Sequence, residues 1–259
     1  MKVNTLVSAV EQNIEELVTQ MKTESDVVVT CQCDKCDKGE YTTDSGKVTW
    51  ECMDQRGVGL NRNTCIANAG EGDILLFSDE DIIYDEGYVD KIVSEYEAHP
   101  EAEAILFNMR VCEARRTYWN EDYRRVRFYN YGRYPAYSIS IRKECLMKSG
   151  VLFPLEFGGG AKYINGEDSV FLHDLLKAGV KIYRSPICLG AETERESTWF
   201  KGYDERFFVS RGALYVRLYG KLSTVMAWVF LIRHTYMVQE IGFGKAIKLM
   251  KQGMKEIRE

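Results

Sequence analysis

The sequence predicts an α/β fold, a doubly wound and mostly parallel sheet followed by a helical appendage. Three observations carry it. Short strand-like runs recur at residues 3–7, 27–30, 48–51, 74–77, 104–108 and 138–141. The run at 74–77 is continuously apolar and those at 27–30 and 104–108 nearly so, as strands buried on both faces are. Between them lie segments of helical periodicity, and strands alternating with helices at this pace favour a parallel sheet wrapped by helices. Beyond residue 197 the alternation stops and three helical segments follow in series. The expected division is one α/β domain over 1–197 and a helical appendage over 198–259.

The elements follow in order. Residues 3–7 open the sheet, and 11–22 form a helix with Ile14, Leu17, Val18 and Met21 on one face. Residues 27–30 make a buried second strand. A polar loop is expected over 34–46, then a strand over 48–51 and a helix over 60–69. The strand 74–77 ends abruptly in acids. An amphipathic helix over 86–99 is stopped by Pro100, a strand follows at 104–108, and 110–133 is rich in arginine and tyrosine with little periodicity. A long irregular segment in a compact domain is usually functional or mobile. A strand at 138–141, a short helix at 143–149, a glycine-rich loop at Phe157-Gly158-Gly159-Gly160, a helix at 167–178 ended by Gly179 and a strand at 180–183 stopping before Pro186 complete the domain. The appendage reads as helices over 203–219, 222–239 and 243–258, broken at Gly220, Gly242 and Gly244.

The chain of 259 residues has room for a large core, and 45% hydrophobic with 28% charged residues is ordinary for a soluble globular protein. A net charge of −5 argues against general nucleic-acid binding, which needs a basic surface. No export signal opens the chain, so a cytoplasmic location and reduced thiols are expected. Cys31, Cys33, Cys36 and Cys52 include one Cys-x-x-Cys but no second pair. Core packing is therefore preferred over a structural zinc.

Three motifs suggest chemistry. Asp79-Glu80-Asp81 ends a buried strand, where open α/β sheets place their ligands. Acids packed there repel one another unless a cation sits among them, and hard oxygen ligands suit Mg²⁺ or Mn²⁺. Arg56-Gly57-Val58-Gly59-Leu60-Asn61-Arg62-Asn63 combines a tight glycine turn with a helix N-terminus, a setting that favours phosphate. Asn165-Gly166-Glu167-Asp168 opens a further helix, where acids are also favoured by the helix dipole alone.

In this order, and with Leu176-Lys-Ala-Gly-Val-Lys-Ile-Tyr183 after the third, the motifs resemble the family 2 glycosyltransferases of the GT-A fold, which is Rossmann-like. The segment Glu196-Ser-Thr-Trp-Phe-Lys-Gly-Tyr203, with Phe207-Phe208 and Arg211-Gly212-Ala213, is similar to the tail of bacterial capsule and O-antigen transferases. The resemblance implies inverting transfer of a sugar from a nucleoside-diphosphate donor, a UDP-sugar being favoured, with Mn²⁺ or Mg²⁺. It implies Asp81 as a metal ligand, Asp79 as a metal ligand nearer the ribose or sugar, Asp168 as the base that deprotonates the acceptor hydroxyl, and Glu167 as its orienting neighbour. Gln32, Asp34, Arg56 and Asn63 would lie near the nucleotide. Two departures stand out: residues 7–12 lack the family's proline-containing turn, and Leu189-Gly190-Ala191-Glu192 offers no histidine to the metal, leaving Glu192 or water for that place. The rival readings are a catalytically silent nucleotide-sugar binder and a nucleotidyltransferase.

The resemblance further implies a saccharide acceptor, polyprenyl-linked as in surface-polysaccharide synthesis. Tyr118, Trp119, Tyr123, Tyr129, Tyr131 and Tyr134, with Arg115, Arg116, Arg124 and Arg125, could form the acceptor face or a packed insertion. The apolar run 225–232 is shorter than the ~20 residues a membrane span needs. Lys245, Lys248, Lys251, Lys255 and Arg258 recur at helical spacing beside Ile247, Leu249, Met250, Met254 and Ile257. Such a helix suits peripheral membrane contact through 222–259 or docking on another protein surface. His99, His173 and His234 read as ordinary surface or core residues.

Overall fold

The computed structural model describes residues 1–113, 115–193 and 202–258. Its elements are β1 (Val3–Val10), α1 (Ile14–Met21), β2 (Asp26–Gln32), β3 (Asp37–Thr43), β4 (Gly46–Met53), α2 (Val58–Asn68), β5 (Ile74–Asp79), β6 (Ile82–Tyr84), α3 (Tyr88–Ala98), β7 (Ala104–Arg110), β8 (Arg124–Arg125), β9 (Ile139–Arg142), α4 (Lys143–Ser149), α5 (Glu167–Lys177), β10 (Ile182–Glu192), α6 (Glu205–Tyr219), α7 (Ser223–Arg233) and α8 (Phe243–Glu256). The strands form one sheet in the order β3-β4-β2-β1-β5-β9-β7-β10-β6, with β8 paired to β10. Strands β4, β2, β1 and β5 run parallel, as do β7 and β10. The strand β9 is inserted antiparallel between β5 and β7. The predicted doubly wound, mostly parallel α/β architecture with a helical C-terminal part is what the chain adopts.

Helices cover both faces. Leu17, Val18 and Met21 of α1 and Ile92 and Tyr96 of α3 pack on one side with Val7, Val29 and Phe107 of the sheet. Cys65 and Ile66 of α2, Leu146 of α4 and Phe171, Leu172 and Leu175 of α5 pack on the other with Leu6, Phe77 and Leu106. A third cluster joins Phe207, Phe208, Leu214, Leu231 and Met250 of the C-terminal helices to Phe157, Tyr163 and Val170, so that layer lies against α5 and the loop before it. The boundary expected at 197/198, and most of the 196–203 motif, lie outside the described residues.

Local chemistry moves some boundaries. The first helix starts at Ile14 because Glu11 has a left-handed backbone and the Asn13 side chain caps the helix, accepting from the amides of Glu15 and Glu16. The polar loop expected over 34–46 is mostly β3, an exposed edge strand in a hairpin with β4. Its polarity, which read as loop, is what an edge strand facing solvent shows. The last strand does not stop before Pro186. It continues to Glu192, with its register against β7 shifting between Arg184 and Cys188. A bulge tolerates the missing proline amide, and the extension brings Glu192 to the end of the sheet.

The arginine- and tyrosine-rich stretch is largely packing. Tyr118, Tyr131 and Tyr134 are buried in the α2/α5 side of the core. Asn108 and Asn120 tie it to β7: the Asn120 amide donates to Asn108 Oδ1 at 2.8 Å, and the Tyr134 hydroxyl donates to Asn120 Oδ1 at 2.8 Å. Tyr123 stacks between His99 and Tyr183, at centroid distances of 3.5 and 5.0 Å.

Candidate active site

A cavity of about 440 Å³ opens where β1, β2 and β5 end and α2 and α5 begin. Its walls include Gln32, Asn61, Arg62, Asp79, Glu80, Asp81, Arg115, Asn165, Glu167, Asp168 and Glu192. The acidic strand end and the third motif, 84 residues or more apart in sequence, meet in it through Arg62. This guanidinium is buried, with its side chain 5% exposed. Nη2 donates to Asp79 Oδ1 at 2.9 Å, and Nη1 donates to Asp168 Oδ1 at 2.8 Å and to Glu167 Oε1 at 3.3 Å.

Several groups in the cavity remain unsatisfied. Arg62 Nε, Asn61 Oδ1 and Asn165 Oδ1 are buried and make no hydrogen bond among the described residues. Buried polar atoms are normally paired, so these three leave hydrogen-bonding capacity for a bound group or water. Asp81 pairs with no cation among the described residues. Burial, then the charges of Asp79 and Glu192, push its carboxyl up to about 7. Burial and then Glu167 push Asp168 well above the usual carboxylate range, against the opposing pull of Arg62. Glu192 is also raised, by burial first, although Arg115 pairs with it at 2.7 Å. Glu80, also in the wall, accepts from the Val10 amide at 2.8 Å.

These features fit a divalent cation. The donors are all hard oxygens, and among the described residues Asp81 forms no ion pair, Arg115 acting on it only from a distance. Among the described residues no three carboxylates of the cavity converge closely enough to cage an ion alone. A cation here would take further oxygens from a bound phosphate or from water, as Mg²⁺ commonly does.

The sequence-selected residues divide. Gln32, Asp79, Asp81, Glu167 and Asp168 line the cavity. Asp34 and Arg56 are not among its lining residues: they pair with each other at 3.3 Å, and Arg56 also donates to the main-chain oxygen of Gln32, which does line it, and pairs with Glu11. Asn63 faces elsewhere: its amide makes two hydrogen bonds with the backbone of Phe153, at 2.9 and 2.8 Å, and so holds the 153 segment to α2. Of the acceptor-face candidates, Arg115 reaches the cavity, joined by Thr117 and Tyr137. The sequence reading did not select Arg62, although an arginine three residues before buried Cys65 and four before buried Ile66 stands on the helix face turned to the core, an unusual place for a lone charge.

The glycines have local causes. A Cβ on Gly59 would lie 2.3 Å from Pro154 O, so that glycine serves close packing. Gly158 has φ +103, and a Cβ there would meet Val58 and Glu167 at 2.4 and 2.8 Å. The Val58 amide, at the start of α2, is taken by Gly159 O at 2.9 Å. The glycine-rich loop is thus a clamp between α2 and α5, which fixes Arg62 against Glu167 and Asp168.

No family model and no curated protein sequence matches this chain. Solved structures do. S. aureus TarS residues 1–349 superposes with a TM-score of 0.64 at 16% identity, covering 99% of this chain and 81% of that one. The same fragment in complex with UDP-GlcNAc gives 0.66 at 17% identity, covering 99% and 82%. The mannosyltransferase PcManGT from Pyrobaculum calidifontis, in complex with GDP-Man and Mn²⁺, gives 0.53 at 14% identity, covering 99% and 75%. The chain has the glycosyltransferase GT-A fold. In this GT-A chain the cavity lies beyond the carboxyl ends of the parallel strands, where α/β folds bind ligands.

Proposed function

We propose that the chain is an inverting glycosyltransferase that uses a nucleoside-diphosphate sugar. The observation that carries the reading is the gathering of Asp79, Glu167 and Asp168 around Arg62, with Asp81 in the same cavity. The fold neighbours solved with UDP-GlcNAc and with GDP-Man and Mn²⁺ support it. Residues 1–197 would bind the donor and carry the chemistry, with 198–259 as the appendage.

The proposed roles are those the family resemblance implies. Asp81 and Asp79 would hold Mn²⁺ or Mg²⁺, which when bound offsets charge on the leaving diphosphate. Gln32, with Asp34 and Arg56 next to it, would face the nucleotide. Asp168 accepts the proton of the acceptor hydroxyl while that oxygen attacks the anomeric carbon and the nucleoside diphosphate departs from the opposite face. A single displacement of this kind inverts the configuration. Glu167 and Arg62 position Asp168, and the raised proton affinity of its carboxyl suits a base working near neutral pH. Incubating the protein with Mn²⁺ and a panel of nucleotide sugars, then measuring nucleoside diphosphate released, tests the proposal. No release above the Asp168→Asn variant with any donor and any saccharide or lipid-linked acceptor would point to the silent relative instead.

The acceptor reading, a polyprenyl-linked saccharide, draws support from the appendage. No helix among the described residues is long and apolar enough to cross a membrane. Leu222, just before α7, and Val225, Trp228, Val229 and Ile232 on it nevertheless form an exposed apolar stripe at helical spacing. Lys221 and Arg233 flank it, and Lys248, Lys251 and Lys255 on the neighbouring α8, with Arg258 just beyond it, are exposed. An apolar stripe with a basic surround suits an anionic bilayer surface. This arrangement favours a peripheral membrane position at the cytoplasmic face.

A further inference from the structure

We propose that Cys31, Cys33, Cys36 and Cys52 form a structural zinc site at the corner of the sheet beside the cavity. Among the described residues, the sulfurs of Cys31, Cys33 and Cys52 are the one group of three such ligand atoms lying within 4.8 Å of one another. In a tetrahedral Zn²⁺ thiolate site, with Zn–S of about 2.3 Å, ligand sulfurs stand roughly 3.8 Å apart, so small side-chain movements would close the set.

The topology explains the convergence. Cys31 and Cys52 are registered partners on the parallel neighbours β2 and β4. Cys33 lies two residues beyond Cys31, and the period of extended chain returns its side chain to the same face. The Cys33 amide donates to Met53 O at 2.9 Å, which prolongs the pairing past the end of β2. Cys36 completes Cys33-x-x-Cys36 and immediately precedes Asp37, the residue of β3 registered against Cys52. Two cysteines from a tight turn and two from adjacent strands is a donor set that zinc uses.

The sequence alone favoured core packing, and Cys31 is indeed fully buried. Cys33 and Cys52 pack at the edge of the same cluster, partly exposed, so the three sulfurs meet where the core opens toward solvent. Burial pushes both Cys31 and Cys52 up, Cys52 to about 12, so without a metal these are neutral, weakly reactive thiols. A bound cation would deprotonate them.

Position gives the site a use. The Gln12 amide donates to Cys31 Sγ at 3.4 Å, Gln32 lies between two of the cysteines and lines the cavity, and Asp34 of the turn pairs with Arg56. A zinc here would pin the loops after β1 and β2, beside the cavity. The inference does not depend on the transferase reading, because its readout is metal content.

The test is elemental analysis of the full chain purified in reducing buffer without chelator, followed by Co²⁺ loading of protein stripped of metal. We expect one zinc per chain, thiolate-to-Co²⁺ charge-transfer bands, and at least a tenfold loss of zinc occupancy in Cys36→Ser and Cys52→Ala. Cys112→Ser, which alters an exposed cysteine elsewhere, should keep full occupancy. Cys36 is also exposed, so its substitution should spare the fold, and the Co²⁺ spectrum of the unaltered chain needs no variant. A chain with reduced thiols that takes up neither Zn²⁺ nor Co²⁺, or a disulfide among these four cysteines, would overturn the proposal.

Discussion

Arg62 Nη1 donates to Asp168 Oδ1 at 2.8 Å from inside the protein, joining the second turn of one helix to the first turn of another across 106 residues of chain. The same guanidinium holds Asp79 and Glu167, and it is almost wholly removed from solvent. A buried cation with three acids is a costly arrangement unless every partner is kept. Arg62→Met should therefore destabilise the fold by roughly 3–5 kcal/mol, because it leaves acids buried without their counter-charge. Arg62→Lys should recover only part of this, since an ammonium cannot span three acceptors as a planar fork does. Denaturant unfolding measures both, and a loss below about 1 kcal/mol for Arg62→Met would remove Arg62 from this role.

Asp81 yields a prediction of the opposite sign. Its carboxyl is raised from 3.8 to about 7 in the folded chain, so the folded state disfavours the charged form. Its contribution to stability is fully present below the unfolded value and is lost as pH rises through about 7. Asp81→Asn should stabilise the metal-free protein by roughly 1–3 kcal/mol at about pH 8 and change little at about pH 4. Thermal melts across that range check it. Equal effects at both ends would show that charge is not what Asp81 brings.

Asp168 is tested by kinetics. Asp168→Asn keeps the side chain's shape and its neighbours but cannot take a proton. Transfer should fall by roughly 10²–10⁴-fold while donor affinity stays within a few-fold. In the unaltered enzyme, kcat/KM should climb through neutral pH, because the carboxyl lies above the ordinary carboxylate range and works only when deprotonated. A profile already flat just above that ordinary range would contradict the assignment.

Much of this was legible beforehand. Continuous apolar runs such as 74–77 announced a parallel sheet, and three spaced motifs announced the cavity. What escaped had physical reasons. The edge strand Asp37–Thr43 carries no apolar face because it packs on little. Pro186 read as a stop, yet a bulge carries β10 on to Glu192. Asn63 stood in a promising motif, but on a helix one residue is a rotation of about 100°, so Arg62 faces the cavity and Asn63 holds the 153 segment. The sulfur cluster depends on strand register, which spacing in a single sequence does not reveal.

The membrane reading rests on side chains that can be changed without touching the cavity. Val225→Ser with Ile232→Ser, both on the exposed stripe, should lower retention on vesicles containing anionic lipid at least fivefold while leaving the melting temperature within a few degrees. Wild-type retention in the double variant would sink the assignment. Retention that is equal on neutral and anionic vesicles would remove the role given to the lysines of α8.

The central claim, that the cavity binds a nucleoside-diphosphate sugar through a cation at Asp81, is met most directly by calorimetric titration of UDP- and GDP-sugars into the protein, with Mn²⁺ and again with excess chelator. The account predicts saturable binding to one nucleotide class with Mn²⁺, weakened at least tenfold by chelator and by Asp81→Asn. No binding with Mn²⁺ present, or binding indifferent to both chelator and Asp81→Asn, would contradict it.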